Sequence, residues 1–121
     1  MDPGLVRWLV IAAFALHGVG MIGAAAYLPF DRSGGFIGAS WLLGSGLMAI
    51  IAGVVIWALA GAGYVAAAYG FWQDASWWRA AAWVGALFTL VAIVVWIGKI
   101  PAGVYVGGAL AVATVVYLIL Y

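Results

Sequence analysis

The stretch "LVIAAFALHGVGMIGAAAYLPFDRSGG", Leu9 to Gly35, carries the single histidine of the chain within an apolar run and closes on a proline, Asp31, Arg32 and two glycines. Working back from it, the run starts at Leu5, and Arg7 and His17 are the basic side chains between Leu5 and Leu28. At roughly 1.5 Å per residue this segment spans about 36 Å, enough to cross the hydrocarbon core of a bilayer with some tilt. The run is therefore read as a transmembrane helix. Arg7 ahead of an apolar segment and the small residues of "GAAAY" (Gly23 to Tyr27) also suit a signal peptide, but one preceding arginine is a weak basic region, so the segment is expected to remain as the first span.

The rest of the chain has the same character. Its 121 residues are 70% hydrophobic and 6% charged, with a mean hydropathy of +1.29. Too little polar surface is present to cover a core in water. An all-α integral membrane protein is expected, with four transmembrane helices in an up-down bundle and little chain left over for a soluble module. The charged residues are Asp2, Arg7, Asp31, Arg32, Asp74, Arg79 and Lys99, and neither glutamate nor asparagine occurs. No basic patch supports binding to nucleic acid. The absence of cysteine removes disulfides, thiol nucleophiles and thiolate metal sites.

Everything from Ser33 to Gln73 is uncharged, too long for one span and too short for two with a turn. Gly44, Ser45 and Gly46 weaken helix continuity. This places a short interfacial or partly re-entrant helix at 37–45, anchored by Trp41, and a second span at 48–71; one sharply kinked helix is the competing reading. "WQDASWWRA" (Trp72 to Ala80) is a polar turn whose Trp72, Trp77, Trp78 and Arg79 suit a membrane interface, with Ser76 available as a cap. The third span is expected at 77–97. "GKIPAG" (Gly98 to Gly103) forms the next turn, with Lys99 able to snorkel and Pro101 suited to a helix start, and the fourth span covers 102–121.

Four spans put both termini on one side of the cell membrane. Arg7, Arg79 and the terminal amine there oppose Arg32 and Lys99 on the other side, and cytoplasmic termini are expected. The tetrapeptide Ala-Ala-Ala-Tyr occurs at Ala24–Tyr27 and at Ala66–Tyr69, either as a trace of a two-helix repeat or as coincidence in an alanine-rich chain.

His17 lies midway along the first span, where an ionisable group is costly and a functional candidate by default. A neutral imidazole can also be satisfied by one hydroxyl on a neighbouring helix, and Ser45, Tyr64, Thr89 and Thr114 are the available types. Three readings stay open: a structural hydrogen bond, a haem or chlorophyll-type ligand at His17, and proton or substrate handling with Tyr64 and Thr89. Met21, four residues on, shares the face of His17, but neither a second histidine nor an intramembrane carboxylate is present to complete a metal site. No cofactor is the leading expectation. Paired carboxylates, a nucleophilic triad and a Walker lysine are all lacking within the spans, so no enzyme is expected.

Small residues recur at every fourth position: Gly103, Gly107 and Ala111 on the fourth helix, Ala62, Ala66 and Gly70 on the second. Such stripes let helices approach closely, either within the chain or against another subunit.

The pair His17–Gly18, "GASWLLG" (Gly38 to Gly44), "WALAGAGYVAAAYG" (Trp57 to Gly70), "SWWR" (Ser76 to Arg79) and "WIGKIPAGVYVGG" (Trp96 to Gly108) together resemble a group of small four-helix bacterial and archaeal membrane proteins, distantly similar in layout to DoxX-like proteins. The resemblance covers nearly the whole chain and implies a layout rather than an activity. In that group a second histidine often follows the first; Met21 stands at the matching position. Small multidrug transporters need a glutamate in the first helix and fluoride channels a pore asparagine, and this chain has neither. The function expected is therefore a non-catalytic accessory or assembly subunit of a membrane complex, or a homo-oligomer in the lipid bilayer. The alternative is a small transporter, channel or ligand-binding protein with its polar centre at His17.

Overall fold

The structure is a computed structural model that describes residues 2–121 apart from the side chains of residues 32–34. The Arg32 charge counted above thus lies outside the described residues, as does the terminal amine. Four α-helices follow in order: α1 (Pro3–Tyr27), α2 (Leu47–Trp72), α3 (Trp78–Val95) and α4 (Ala102–Leu120). All four are long and apolar enough to cross a membrane. The protein is therefore described as a multi-pass helical membrane protein.

The starts and stops have local causes. Asp2 caps α1, its carboxylate accepting from the Leu5 N–H at 3.1 Å, and Pro3 occupies the first helical position where a missing N–H costs nothing. α2 ends with Asp74 in the left-handed region at φ +56°, which lets the Ala75 N–H turn back to the Gly70 carbonyl at 2.8 Å. α4 starts after Pro101, which sits extended at the cap position. Ser76 does not cap α3: Trp77 occupies that position and no side chain bonds the helix start.

The segment between α1 and α2 differs from the short helix expected at 37–45. It forms a 3₁₀ turn at Leu28–Phe30, another at Arg32–Gly38, and then a two-residue hairpin, β1 (Ala39–Ser40) against β2 (Gly44–Ser45). The hairpin is antiparallel, with Ala39 opposite Ser45 and Ser40 opposite Gly44. Two features exclude a helix here. The Ser40 hydroxyl accepts from the Leu42 and Leu43 N–H groups, both at 3.1 Å, offering the backbone a local alternative to helical bonds. Gly44 and Gly46 take φ of +78° and +108°, where a right-handed helix cannot continue.

This hairpin is bolted to the end of α3. Ser40 Oγ donates to the Val95 carbonyl and Trp41 Nε1 to the Val94 carbonyl, each at 2.6 Å, while Trp96 Nε1 donates to the Ile37 carbonyl at 2.8 Å. The last carbonyls of a helix lack intrahelical donors, and in lipid no water replaces them. The same device closes two other helices. Arg7 of α1 donates to the Phe71 and Trp72 carbonyls that end α2, at 2.9 and 2.8 Å, and Arg79 of α3 donates to the Leu118 carbonyl near the end of α4 at 3.0 Å. Cations at helix C-termini also oppose the macrodipole. The scarce charges thus serve as caps in trans, a role beyond the interfacial anchoring expected for Arg79. Lys99, Trp72 and Trp77 remain exposed, and Trp78 packs between Phe71 and Tyr117.

Helices adjacent in sequence pack on one another: α1 on α2, α2 on α3, α3 on α4. Glycines set the closest approaches. A Cβ added at Gly18 would lie 2.8 Å from the Gly61 carbonyl oxygen, and one at Gly61 would lie 2.6 Å from that of Gly18, so α1 and α2 touch backbone to backbone. Gly63 and Gly85 bring α2 and α3 equally close. This relocates the stripe expected at Ala62, Ala66 and Gly70. Ala62 is exposed and Ala66 half-buried, while Gly70 is covered by Trp77 and Trp78. α2 is the central helix and must present small residues in two directions, Gly61 to α1 and Gly63 to α3. On α4, Ala111 is buried and Gly107 contacts His17, but Gly103 is exposed with no atom within 4 Å of an added Cβ.

Candidate ligand site at the seam of the first and last helices

His17 stands where α1, α3 and α4 converge. The Thr89 hydroxyl donates to Met21 Sδ at 3.3 Å, and its oxygen lies 3.1 Å from His17 Nε2. A hydroxyl has one proton, so with Thr89 donating to Met21 it is the Nε2–H of His17 that donates to Thr89. The other face of the imidazole meets Tyr64 edge to face at 4.8 Å between ring centroids. Tyr64 in turn donates to Thr114 at 3.0 Å, and Thr114 donates to the Leu110 carbonyl at 2.8 Å.

Of the polar residues expected at the centre, the fold thus joins His17, Thr89 and Met21 directly. Tyr64 touches the His17 ring but directs its hydroxyl to α4. Ser45 lies exposed in the hairpin, away from the imidazole. The partner of His17 is Thr89, one of the four hydroxyl-bearing residues compatible with the sequence. Each such interhelical bond in a membrane protein is worth about 0.6 kcal/mol on average and up to about 1.7.

The ring edge carrying Nδ1 and Cε1 abuts Gly107, where an added Cβ would collide with it. With Nε2 engaged by Thr89 and Nδ1 against a backbone, neither nitrogen is presented to the face of a planar macrocycle. Among the described residues no three His, Cys, Asp or Glu side chains are grouped to hold a metal ion. Asp74 pairs with Arg7 at 2.9 Å near the end of α2, and Arg7 stands ten residues before His17 on α1.

The His17–Gly107 contact is the waist of an otherwise open seam between α1 and α4. On one side lies an apolar groove of about 610 Å³, bounded by Val6, Val10 and Phe14 of α1 and Leu110, Ala113 and Tyr117 of α4. On the other side lies a cavity of about 290 Å³ bordered by His17, Met21, Phe36, Trp57, Gly103 and Val104. Trp57 was not singled out from the sequence. Its indole ring is 2% exposed and packs 5.0 Å from Phe36 and 6.5 Å from Trp96 between centroids. Its position was a legible signal, because tryptophan in spans concentrates at the interfaces, and Trp57 lies near the middle of α2.

No family model, curated protein or solved structure matches this chain. The site offers an imidazole already bonded within the bundle and two largely apolar recesses open to the outside of the bundle.

Proposed function

We propose that the protein is a non-catalytic subunit of the cell membrane, crossing it four times in an up-down bundle with both termini cytoplasmic, and that it serves as an accessory or assembly subunit of a larger membrane complex or of a homo-oligomer. The observation that carries this reading is the unclosed seam between α1 and α4. α4 leans on α3 and reaches α1 at the His17–Gly107 waist, leaving the groove of about 610 Å³ beside Phe14 and Tyr117 without a helix to fill it. In lipid, helix association is driven by close packing and hydrogen bonds rather than by hydrophobicity, so an apolar groove of helix width is a place for a neighbouring span. The layout similarity to DoxX-like proteins is compatible with this reading.

The test is purification from the native membrane in mild detergent, with partners identified by mass spectrometry and absorbance recorded on the same fraction. Copurification with a defined complex, or a stable oligomer, supports the reading; a lone stable monomer refutes it. A Val10→Trp substitution, which fills the groove from α1, should release the partner while leaving the chain folded.

A second reading has its own observation. His17 and Met21 border the smaller cavity, so the chain also suits a ligand-binding or transport protein with its polar centre at His17, Tyr64 and Thr89. His17→Ala would then abolish binding or transport while the fold persists, whereas a change in thermal stability alone favours the structural role.

A further inference from the structure

The depth of the hairpin between α1 and α2 is fixed by its neighbours. His17 meets Thr89 of α3 and Gly107 of α4, so these three residues share one level of the bundle. Arg7 stands ten residues before His17 and Arg79 ten before Thr89. At about 1.5 Å per residue, both arginines lie about 15 Å to one side of that level. They mark one edge of a hydrocarbon core about 30 Å thick, so the other edge lies about 15 Å beyond His17. α1 reaches that edge at Tyr27, and α2 passes it, because Leu47 lies fourteen residues from Gly61, which touches Gly18. α3 stops short. It ends at Val95, six residues past Thr89, which is about 9 Å from the level of His17.

The hairpin reaches down to that shortened end, where Ser40 Oγ donates to the Val95 carbonyl and Trp41 Nε1 to the Val94 carbonyl, each at 2.6 Å. The Trp41 indole thus lies roughly 6 Å inside the hydrocarbon edge. Backbone outside a helix is tolerated at such a depth only where its polar groups are bonded within the protein. The tip meets that condition. The Leu42 and Leu43 N–H groups donate to Ser40 Oγ, both at 3.1 Å, and the Gly46 N–H donates to the Gly38 carbonyl at 2.9 Å. The turn between α2 and α3, at the arginine end of the bundle, is built differently: Gln73, Asp74 and Ser76 are exposed, and no side chain bonds the start of α3.

The side chains of the tip continue a surface that already faces lipid. Leu87, Val91 and Val94 form an exposed apolar stripe along α3, spaced as neighbours on one helix face. Trp41 extends this stripe past the end of the helix through its bond to the Val94 carbonyl. Trp41 and Leu42 are 59% and 57% exposed, and no charged residue occurs between Arg32 and Asp74. We infer that the 39–45 hairpin is re-entrant, its tip immersed among the acyl chains of the leaflet away from both termini, where Trp41 and Leu42 contact lipid and complete the span that α3 leaves short. The inference rests on the four spans and is independent of a subunit in the α1–α4 groove.

The chain has no cysteine, so Leu42→Cys carries a single nitroxide label at an exposed position. The labelled full chain is placed in phospholipid nanodiscs beside two references, Leu87→Cys on the apolar stripe of α3 and Ser76→Cys in the polar turn. Circular dichroism matching that of the parent chain establishes that each variant is folded. Relaxation of each label is then measured with oxygen, which concentrates in hydrocarbon, and with a water-soluble nickel chelate. The oxygen-to-nickel accessibility ratio at Leu42→Cys should exceed that at Ser76→Cys severalfold and approach that at Leu87→Cys. A ratio equal to that at Ser76→Cys puts the tip in water and overturns the inference. A label shielded from both reagents is covered by protein, such as a second copy of the chain, and overturns the assignment to lipid as well.

Discussion

Gly18 and Gly20 stand two residues apart on one helix, and the structure gives them opposite fates on conversion to alanine. At Gly18 the new Cβ would lie 2.8 Å from the Gly61 carbonyl oxygen, the Val65 nitrogen and a Val65 methyl. Two of these three atoms are backbone and cannot turn aside. Restoring ordinary contact requires α1 to move from α2 by at least about half an ångström, and overpacking of this kind costs typically 1–3 kcal/mol, roughly. The gain from replacing a helix-interior glycine, about 0.5–1 kcal/mol, offsets part of that. The expected result for Gly18→Ala is a net loss of about 1–2 kcal/mol. At Gly20 nothing lies within 4 Å of the added methyl, so Gly20→Ala keeps the propensity gain and should be neutral or more stable by up to about 1 kcal/mol. Reversible unfolding in mixed micelles of mild detergent and increasing SDS, followed by circular dichroism, measures both variants against the parent chain. The α1–α2 contact derived above is refuted if Gly18→Ala matches the parent, or if the two variants lose equal stability.

Thr89→Val keeps the shape of the side chain but leaves the His17 Nε2–H unpaired, so it should lower stability by about 0.6–1.7 kcal/mol in the same assay, while Thr89→Ser should recover most of the loss. Arg7→Ala should cost more than Asp74→Asn, because the carboxylate is largely exposed and an exposed ion pair contributes about 0–1 kcal/mol, whereas the guanidinium also closes two carbonyls at the end of α2. Unfolding of the two single variants and the double variant at low and high salt checks this order. Ser40→Ala should raise amide hydrogen exchange across Leu42, Leu43 and Gly46 and lower stability by about 1–2 kcal/mol, since one hydroxyl serves two N–H donors and the Val95 carbonyl; unchanged exchange there would refute its stapling role.

Four spans were legible because the signal for a span is length and hydropathy, and both are properties of contiguous residues. The expected bounds 5–28, 48–71, 77–97 and 102–121 lie within two residues of the ends of α1 to α4, since charges and prolines punctuate the apolar runs in sequence. The segment 37–45 was harder. Its uncharged residues signal only that something other than a full span is present, and the choice between a short helix and a hairpin depended on Ser40 reaching both its own backbone and the end of α3.

The stripes show a similar limit. Four-residue spacing marks a face that permits close approach, yet Ala62 points outward and Gly61 inward, because the rotation of a helix about its axis is set by what packs on it. Arg7 and Arg79 were visible as charges near membrane ends, but their carbonyl partners sit on α2 and α4, far away in the chain. The same applies to His17. Sequence supplied four candidate hydroxyls for its ring, and packing selected Thr89 and set Gly107 against the opposite edge.

Composition and hydropathy alone therefore settle the solvent and the secondary structure: a backbone surrounded by hydrocarbon must bond itself, and contiguous apolar runs of this length do so as helices. Which helices meet, which carbonyls Arg7, Arg79 and Ser40 close, and that the Trp57 indole N–H is buried without a partner are decided by tertiary packing. In a chain where nearly every face is apolar, hydrophobicity cannot choose a helix rotation, and shape complementarity at glycines and a handful of directional hydrogen bonds must make that choice.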